Sequence, residues 1–176
     1  MAFTDPEHNI QQFGLQSGAR VADFGAGTGF YAFEIAKAVG GAGKVYAIDV
    51  QKDLLSKIKT EGGKRNLTNI EIVWADVEKP GGTHLRADSV DGVVISNILF
   101  QTAAKEAVLS EAKRILKSGG RALVIDWTDS FGGMGPSFDT IFPAVKARAL
   151  FEKAGFVFQT QIRAGDHHYG FIFKKP

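Results

Sequence analysis

The residues best placed to do chemistry lie in the segment Asp23-Phe24-Gly25-Ala26-Gly27-Thr28-Gly29. Here three glycines alternate behind the apolar run Val21 to Phe24 and ahead of a helical pattern that starts at Phe30. Glycine lets the backbone turn tightly and lets a ligand come close to the main chain. A helix start directly behind it offers N–H groups to an anionic group. A plain strand-to-helix turn needs one glycine, so three at this spacing point to a bound small molecule. A dinucleotide fingerprint fits poorly: counted from Gly25, its third glycine falls on Phe30, and counted from Gly27, on Ala32. A P-loop is excluded because no Gly-Lys-Ser/Thr follows.

In an open α/β sheet, ligands bind beyond the carboxyl ends of the strands. The other strand-end segments are Asp49 to Gln51, Ala75 to Val77, Ser96 to Gln101 and Asp126 to Asp129, and most carry an aspartate. Asp49 ends the second apolar run, about 20 residues beyond Gly29, where a carboxylate can accept hydrogen bonds from both hydroxyls of a ribose. A helix N-cap is an alternative role for Asp49, compatible with the first.

The elements that must carry these segments alternate along the chain. Strands are expected at Val21 to Phe24, Val45 to Ile48, Ile70 to Trp74, Val93 to Ser96 and Ala122 to Trp127. Helices are expected at Phe30 to Val39, at Asp53 to Lys59 with Gly62 and Gly63 ending it, at Ala104 to Leu116, and around Ala147 to Ala154. Pro80-Gly81-Gly82 reads as a loop, and Phe156 to Phe173 as two strands joined near Gly165. Five βα units and a terminal hairpin predict an α/β fold over residues 1–176. Its seven-stranded, mostly parallel sheet has helices on both faces and an antiparallel C-terminal hairpin.

Composition narrows the class. The chain is 44% hydrophobic and 23% charged, as expected of a folded globular protein. Its net charge of +2 is spread out, and the densest basic stretch, Lys52 to Arg65, is interrupted by Asp53 and Glu61 and reads as a solvated helix face. A nucleic-acid partner is therefore not signalled. There is no cysteine, so disulfides and thiolate metal sites are excluded. His167 and His168 are adjacent on an expected strand and point to opposite faces, so no metal is expected. Met1 to Phe13 lacks a signal-peptide pattern, and no apolar run approaches the about 20 residues of a membrane span. The cytoplasm is the expected location.

On these motifs the chain resembles the class I S-adenosylmethionine-dependent methyltransferases. Asp23 to Gly29 is similar to the family's D-x-G-x-G-x-G, and Trp74-Ala75-Asp76-Val77 to the segment whose aspartate holds the adenine amino group. Ser89 to Asn97 resembles the fourth-strand motif, and Arg114-Ile115-Leu116-Lys117-Ser118-Gly119-Gly120 resembles R-x-L-K-P-G-G with Ser118 for proline. The general likeness is to ubiquinone/menaquinone-type and arsenite-type enzymes. Those often carry a histidine near position 101, where this chain has Gln101, and a longer N-terminal region, so a short cover over the site is expected.

The resemblance implies S-adenosylmethionine as cofactor. It implies cofactor contacts from Asp23, Gly25, Ala26, Gly27, Thr28, Gly29, Asp49, Val50, Asp76, Val77, Asn97 and Leu99. Methyl transfer is an in-line displacement at carbon, so positioning and exclusion of water matter most. A general base is needed only if the acceptor holds a proton at attack. The acceptor is expected to be a small molecule. His8, Asn97, Gln101, Asp126, Trp127, Asp129 and Tyr169 are the residues that could touch it, with Asn97 and Asp126 favoured because they end strands. Ser130 to Phe138 is expected to act as a lid, with Phe131, Met134 and Phe138 as its apolar wall. A nicotinamide-dependent oxidoreductase, a non-catalytic cofactor-binding subunit and an RNA or protein methyltransferase remain alternatives at this point.

Overall fold

The computed structural model describes residues 4–133 and 135–176. The strands are β1 (Arg20–Phe24), β2 (Lys44–Asp49), β3 (Ile70–Trp74), β4 (Val90–Ser96), β5 (Leu116–Trp127), β6 (Val157–Ile162) and β7 (His168–Lys174). They form a seven-stranded sheet in the order β3-β2-β1-β4-β5-β7-β6. The first five are parallel, and β7 pairs antiparallel with both β5 and β6. The order reverses direction between β1 and β4, which creates the crevice where such sheets bind ligands.

The helices are α1 (Pro6–Phe13), α2 (Phe30–Val39), α3 (Lys52–Lys64), α4 (Lys105–Ile115) and α5 (Ala144–Lys153). Successive side chains of a strand face opposite ways, and the core divides accordingly. Val21, Val45, Val94 and Leu123 pack with Phe13, Phe33, Ile35 and Ile58 of α1, α2 and α3. Phe24, Ile48, Val93 and Ile95 pack on the other face with Leu109 and Ile115 of α4 and Phe151 of α5. The central strands are buried almost throughout, which accounts for their near-continuous apolar sequence.

Three local expectations are corrected. No helix follows β3: residues 75–89 run as turns, so the units are not five uniform βα pairs. Pro80-Gly81-Gly82 breaks any helix there, and a methyl on Gly82 would lie 2.0 Å from the Asp76 carbonyl oxygen. The second expected helix, α3, does not stop at its glycines. It runs through Gly62 and Gly63 to Lys64, and the left-handed residue that ends it is Asn66, at φ 57°. The Leu67 N–H then closes on the Gly62 carbonyl at 2.9 Å. Finally, α1 was not expected at all. Its Asp5 cap accepts from the His8 N–H at 3.0 Å, Pro6 opens it, and Gly14 at φ 64° ends it. These are ordinary start and stop signals, but the apolar stripe between them, Ile10 and Phe13, is short.

The loop after β3 is held from below by a buried carboxylate. Glu111 of α4 is 2% exposed and accepts hydrogen bonds from the Gly81 and Thr83 N–H groups, the Thr83 hydroxyl at 2.6 Å and the Arg114 guanidinium at 2.7 Å. Burial alone would raise its pKa, but the Arg114, Thr83 and Gly81 donors outweigh burial and hold the carboxyl at about 2, below its ordinary 4.5. A depressed pKa contributes stability that is present above about pH 4.5 and lost as the pH falls toward 2. Glu111→Gln should cost about 2–4 kcal/mol at neutral pH by leaving Arg114 and the loop amides underpaired. Urea denaturation should also show a shallower loss of stability below about pH 4.5 in the variant than in the parent chain.

Candidate functional site

The strand ends around the β1/β4 reversal enclose a cavity of about 470 Å³. Its floor is the turn after β1. Gly25 (φ 65°) and Gly27 (φ 54°) are both left-handed, a backbone that side chains other than glycine rarely adopt. The Ala26 N–H bonds to the Ile48 carbonyl at 2.9 Å, which ties this turn to β2. The Asp49 carboxylate reinforces the tie, accepting from the Gly27 N–H and the Gln51 N–H, each at 2.9 Å.

Asp23 stands apart from its neighbours. It lines the cavity, is 1% exposed, and its Oδ2 has no hydrogen-bond partner. Burial, and next the nearby Asp49 charge, push its carboxyl up to about 8. The Ala32 backbone limits the rise, but a buried acid with one oxygen left unpaired calls for a cation or a donor.

The cavity brings together most of the residues expected to hold a cofactor: Asp23, Gly25, Ala26, Gly27, Thr28, Asp49, Val50, Asp76, Val77 and Asn97. Gly29 and Leu99 are not among its walls. Gly29 is glycine for packing, since a methyl there would lie 2.8 Å from Ile58 and 3.0 Å from Phe33. Leu99 is fully buried in the α4-side core. Residues that the sequence did not single out complete the cavity, notably Thr4, Phe30, Tyr31 and Thr102. The Tyr31 hydroxyl is held by the Asn9 amide at 2.9 Å and by Thr4 at 3.0 Å, so α1 shapes one wall.

Of the two favoured acceptor residues, Asn97 lines the cavity and Asp126 does not. Asn97 is left-handed at φ 56°, and its Oδ1 is buried without a partner. Asp126 lies behind the wall, fully buried, and accepts from the backbone N–H groups of Leu99 at 2.8 Å, Trp127 at 2.9 Å and Phe100 at 3.4 Å. Burial raises its carboxyl to about 6, and those amides limit the rise. Its place is that of a brace for the turn bearing Asn97 and Ile98. Behind it lies Tyr169, buried, with its pKa raised by burial and by Asp126.

Gln101 lines the cavity, but His8, Trp127, Asp129 and Tyr169 do not. Trp127 packs on His168 with ring centroids 4.1 Å apart, and Asp129 pairs with His167 Nδ1 at 2.6 Å. Among the described residues, none from Ser130 to Phe138 borders the cavity. Phe131 stacks on His167 at 4.7 Å and Phe138 is 81% exposed, so they do not form an apolar wall over the site. Met134, the third residue expected in that wall, lies outside the described residues. No group of three or more described His, Cys, Asp or Glu side chains could hold a metal ion. No described helix is long and apolar enough to cross a membrane.

Comparison with known proteins agrees with this geometry. The family described as a methyltransferase domain matches residues 15–153. The chain is 33% identical over 114 residues to an arsenite methyltransferase of Halobacterium salinarum, a match covering 64% of this chain and 28% of that protein. It is 32% identical over 120 residues to a ubiquinone/menaquinone biosynthesis C-methyltransferase of Pseudomonas putida, covering 68% of this chain and 46% of that protein. The chain therefore spans less than half the length of these curated relatives. The crystal structure of a SAM-dependent methyltransferase from Aquifex aeolicus superposes with a TM-score of 0.87 at 29% identity, covering 97% of this chain and 89% of that one.

Two outcomes are expected from the floor of the cavity. A methyl on Gly25 would lie 2.5 Å from Ile98 Cγ2, whereas one on Gly27 meets nothing closer than 3.8 Å. Gly25→Ala should cost about 1–3 kcal/mol in chemical denaturation, and Ile98→Ala in the same chain should recover part of that loss. For Asp23, a folded pKa of about 8 against an ordinary 3.8 means that the fold loses stability as pH rises between those values. Asp23→Asn should raise the melting temperature of the ligand-free protein, more at about pH 9 than near pH 5.

Proposed function

We propose that this chain, which belongs to the methyltransferase-domain family of class I S-adenosylmethionine-dependent enzymes, transfers a methyl group from S-adenosylmethionine to a small-molecule acceptor. The observation that carries the reading is the pairing of Asp23 and Asp49 around one glycine turn. Asp23 offers a buried, unpaired carboxylate oxygen, and Asp49 braces the turn from β2. These acceptors fit the cofactor: Asp23 would hold its ammonium group, Asp49 its ribose hydroxyls, and Asp76 with Val77 its adenine. The glycines keep side chains out of the space the nucleoside needs.

When bound, S-adenosylmethionine supplies a methyl group on a sulfonium that is already an activated leaving group. The chain's own residues then bind and orient. Gly25 and Gly27 hold the turn open, and Asp23 exchanges a proton for a cation. Ile98 and Asn97 shape the wall beside the transfer path, and Asp126 fixes that wall from behind through the Leu99 and Phe100 amides. Among the residues that line the cavity, Asn97 and Gln101 are the polar groups proposed to meet the acceptor. A small acceptor is supported by the curated relatives, which are named for arsenite and for ubiquinone and menaquinone biosynthesis. The cytoplasm is the proposed setting, and it fits a chain with no cysteine.

Calorimetric titration with S-adenosylmethionine tests the reading. Near pH 7 binding should release about one proton, seen as a heat that varies with the buffer's ionisation enthalpy, because a cation beside Asp23 restores its ionised form. Asp23→Asn should abolish the release, and Asp49→Ala should weaken binding about tenfold to a hundredfold. Absence of binding to the parent chain, or an Asp49→Ala protein that binds as tightly, would overturn the proposal.

A further inference from the structure

We infer that the Tyr31 and Ser96 hydroxyls receive the carboxylate at the amino-acid end of the cofactor, with Tyr31 poised by Thr4 and Asn9, so that the pocket selects nucleosides carrying an intact α-amino acid. The inference rests on the methyltransferase reading and adds residues outside the glycine motif. Thr4, Asp23, Tyr31 and Ser96 all border the cavity. Asn9 of α1 is fully buried. Its amide nitrogen faces the Tyr31 hydroxyl at 2.9 Å, the Thr4 hydroxyl at 3.1 Å and the Ala164 carbonyl at 3.4 Å. A carbonyl can only accept, which fixes the nitrogen on this side of the Asn9 amide.

This cluster has a hydroxyl proton to spare. The Asn9 nitrogen donates and cannot accept. The Tyr31 and Thr4 hydroxyls stand 3.0 Å apart, and the bond between them uses the proton of one or the other. The remaining proton has no acceptor among these groups, since Asn9 Oδ1 is buried without a partner. Ser96 Oγ is a further hydroxyl on the wall, also buried without a partner. If it accepted the spare proton, its own would become the spare one. Burial pushes the Tyr31 hydroxyl up in pKa, the Thr4 and Asn9 bonds oppose the rise, and the nearby Asp23 charge adds to it. The hydroxyls and Asp23 therefore serve the same end of the cavity. An α-amino acid matches the set: its ammonium donates to the unpaired Asp23 Oδ2, and its carboxylate accepts from the O–H groups. The glycine turn is the other source of donors, but its Ala26 N–H is taken by the Ile48 carbonyl, Gly27 by Asp49, and Gly29 by the Ala26 carbonyl at 2.8 Å. No Lys, Arg or His is among the described lining residues. A guanidinium there would pair with Asp23 and compete with the ammonium, whereas hydroxyls leave Asp23 to it.

The test compares S-adenosylhomocysteine with its decarboxylated analogue, 5′-deoxy-5′-(3-aminopropylthio)adenosine, and with 5′-methylthioadenosine, which lacks the amino acid altogether. Affinities are read by calorimetric titration of the full chain. The parent protein should bind S-adenosylhomocysteine at least about tenfold more tightly than the decarboxylated analogue, the scale of hydrogen bonds to a charged group. Tyr31→Phe should weaken S-adenosylhomocysteine about tenfold and leave the decarboxylated analogue within about twofold. Ser96→Ala, which leaves the Tyr31 cluster intact, should shift affinity in the same ligand-dependent way. Asp23→Asn should weaken both of these ligands, because both carry the amine. Equal losses for the two ligands in Tyr31→Phe and in Ser96→Ala would reduce these residues to a structural role and overturn the inference. A parent chain that binds methylthioadenosine but gains nothing from the carboxylate would overturn this inference alone and leave the methyltransferase reading standing. Failure of all three nucleosides to bind the parent would overturn both.

Discussion

A carboxylate can be buried only if something takes the place of its water. This chain buries four of them close to the strand ends: Asp23, Asp49, Glu111 and Asp126. Three receive their donors from within the fold. Asp49 takes two backbone amides across the β1 and β2 tips, Asp126 takes three around the β4 and β5 tips, and Glu111 takes two amides, a hydroxyl and a guanidinium. Each of these pins one loop to another element. Asp23 is the exception. It lies on β1, between β2 and β4, and one of its oxygens is left unpaired. Asp49 braces the turn beside this deficit, and a cationic ligand is the natural way to fill it.

The two ends of the parallel strands are treated differently. At their amino ends, charges are matched within the fold. Asp91 accepts from the Arg20 N–H at 2.8 Å and from Lys117 at 2.6 Å, and the Arg20 guanidinium also reaches the Tyr46 hydroxyl. At the carboxyl ends, Asn97 is held in left-handed backbone at φ 56°, and Asp23 and Asn97 keep unpaired atoms. Local conflict of this kind is unfavourable for stability and is concentrated where a ligand can relieve it.

Much of this was legible in the sequence because it rests on short-range rules. The alternating glycines, the acidic strand ends and the apolar periodicities are local, and they gave the sheet, most helices and the crevice. What escaped depends on contacts between distant segments. Gly29 resembles Gly25 and Gly27 in the sequence, but Phe33 and Ile58 fill the space beside it. Leu99 occupies a strand-end position as Asn97 does, but its side chain turns into the core. Gly62 and Gly63 read as a helix stop because glycine usually is one, yet Gly62 packs under Ile70 and the stop moves to Asn66. Glu111 looked like one more polar residue on a helix, and only the loop folded above it reveals its role.

Asp126 shows most clearly why a position at a strand end does not by itself make a residue part of the chemistry. Its carboxylate was expected to face an acceptor, being the last acid of the fifth strand. In the fold it is fully buried and does not border the cavity, and its Oδ2 accepts from the Leu99 and Phe100 amides of the turn after β4. The same hydrogen bonds hold Ile98 where its methyl group touches the space above Gly25, so that only glycine fits there. The glycine motif read from the sequence is thus the visible half of a contact whose other half is set by an aspartate on a different strand. Its spacing reflects the brace behind Ile98 as well as the ligand in front of it.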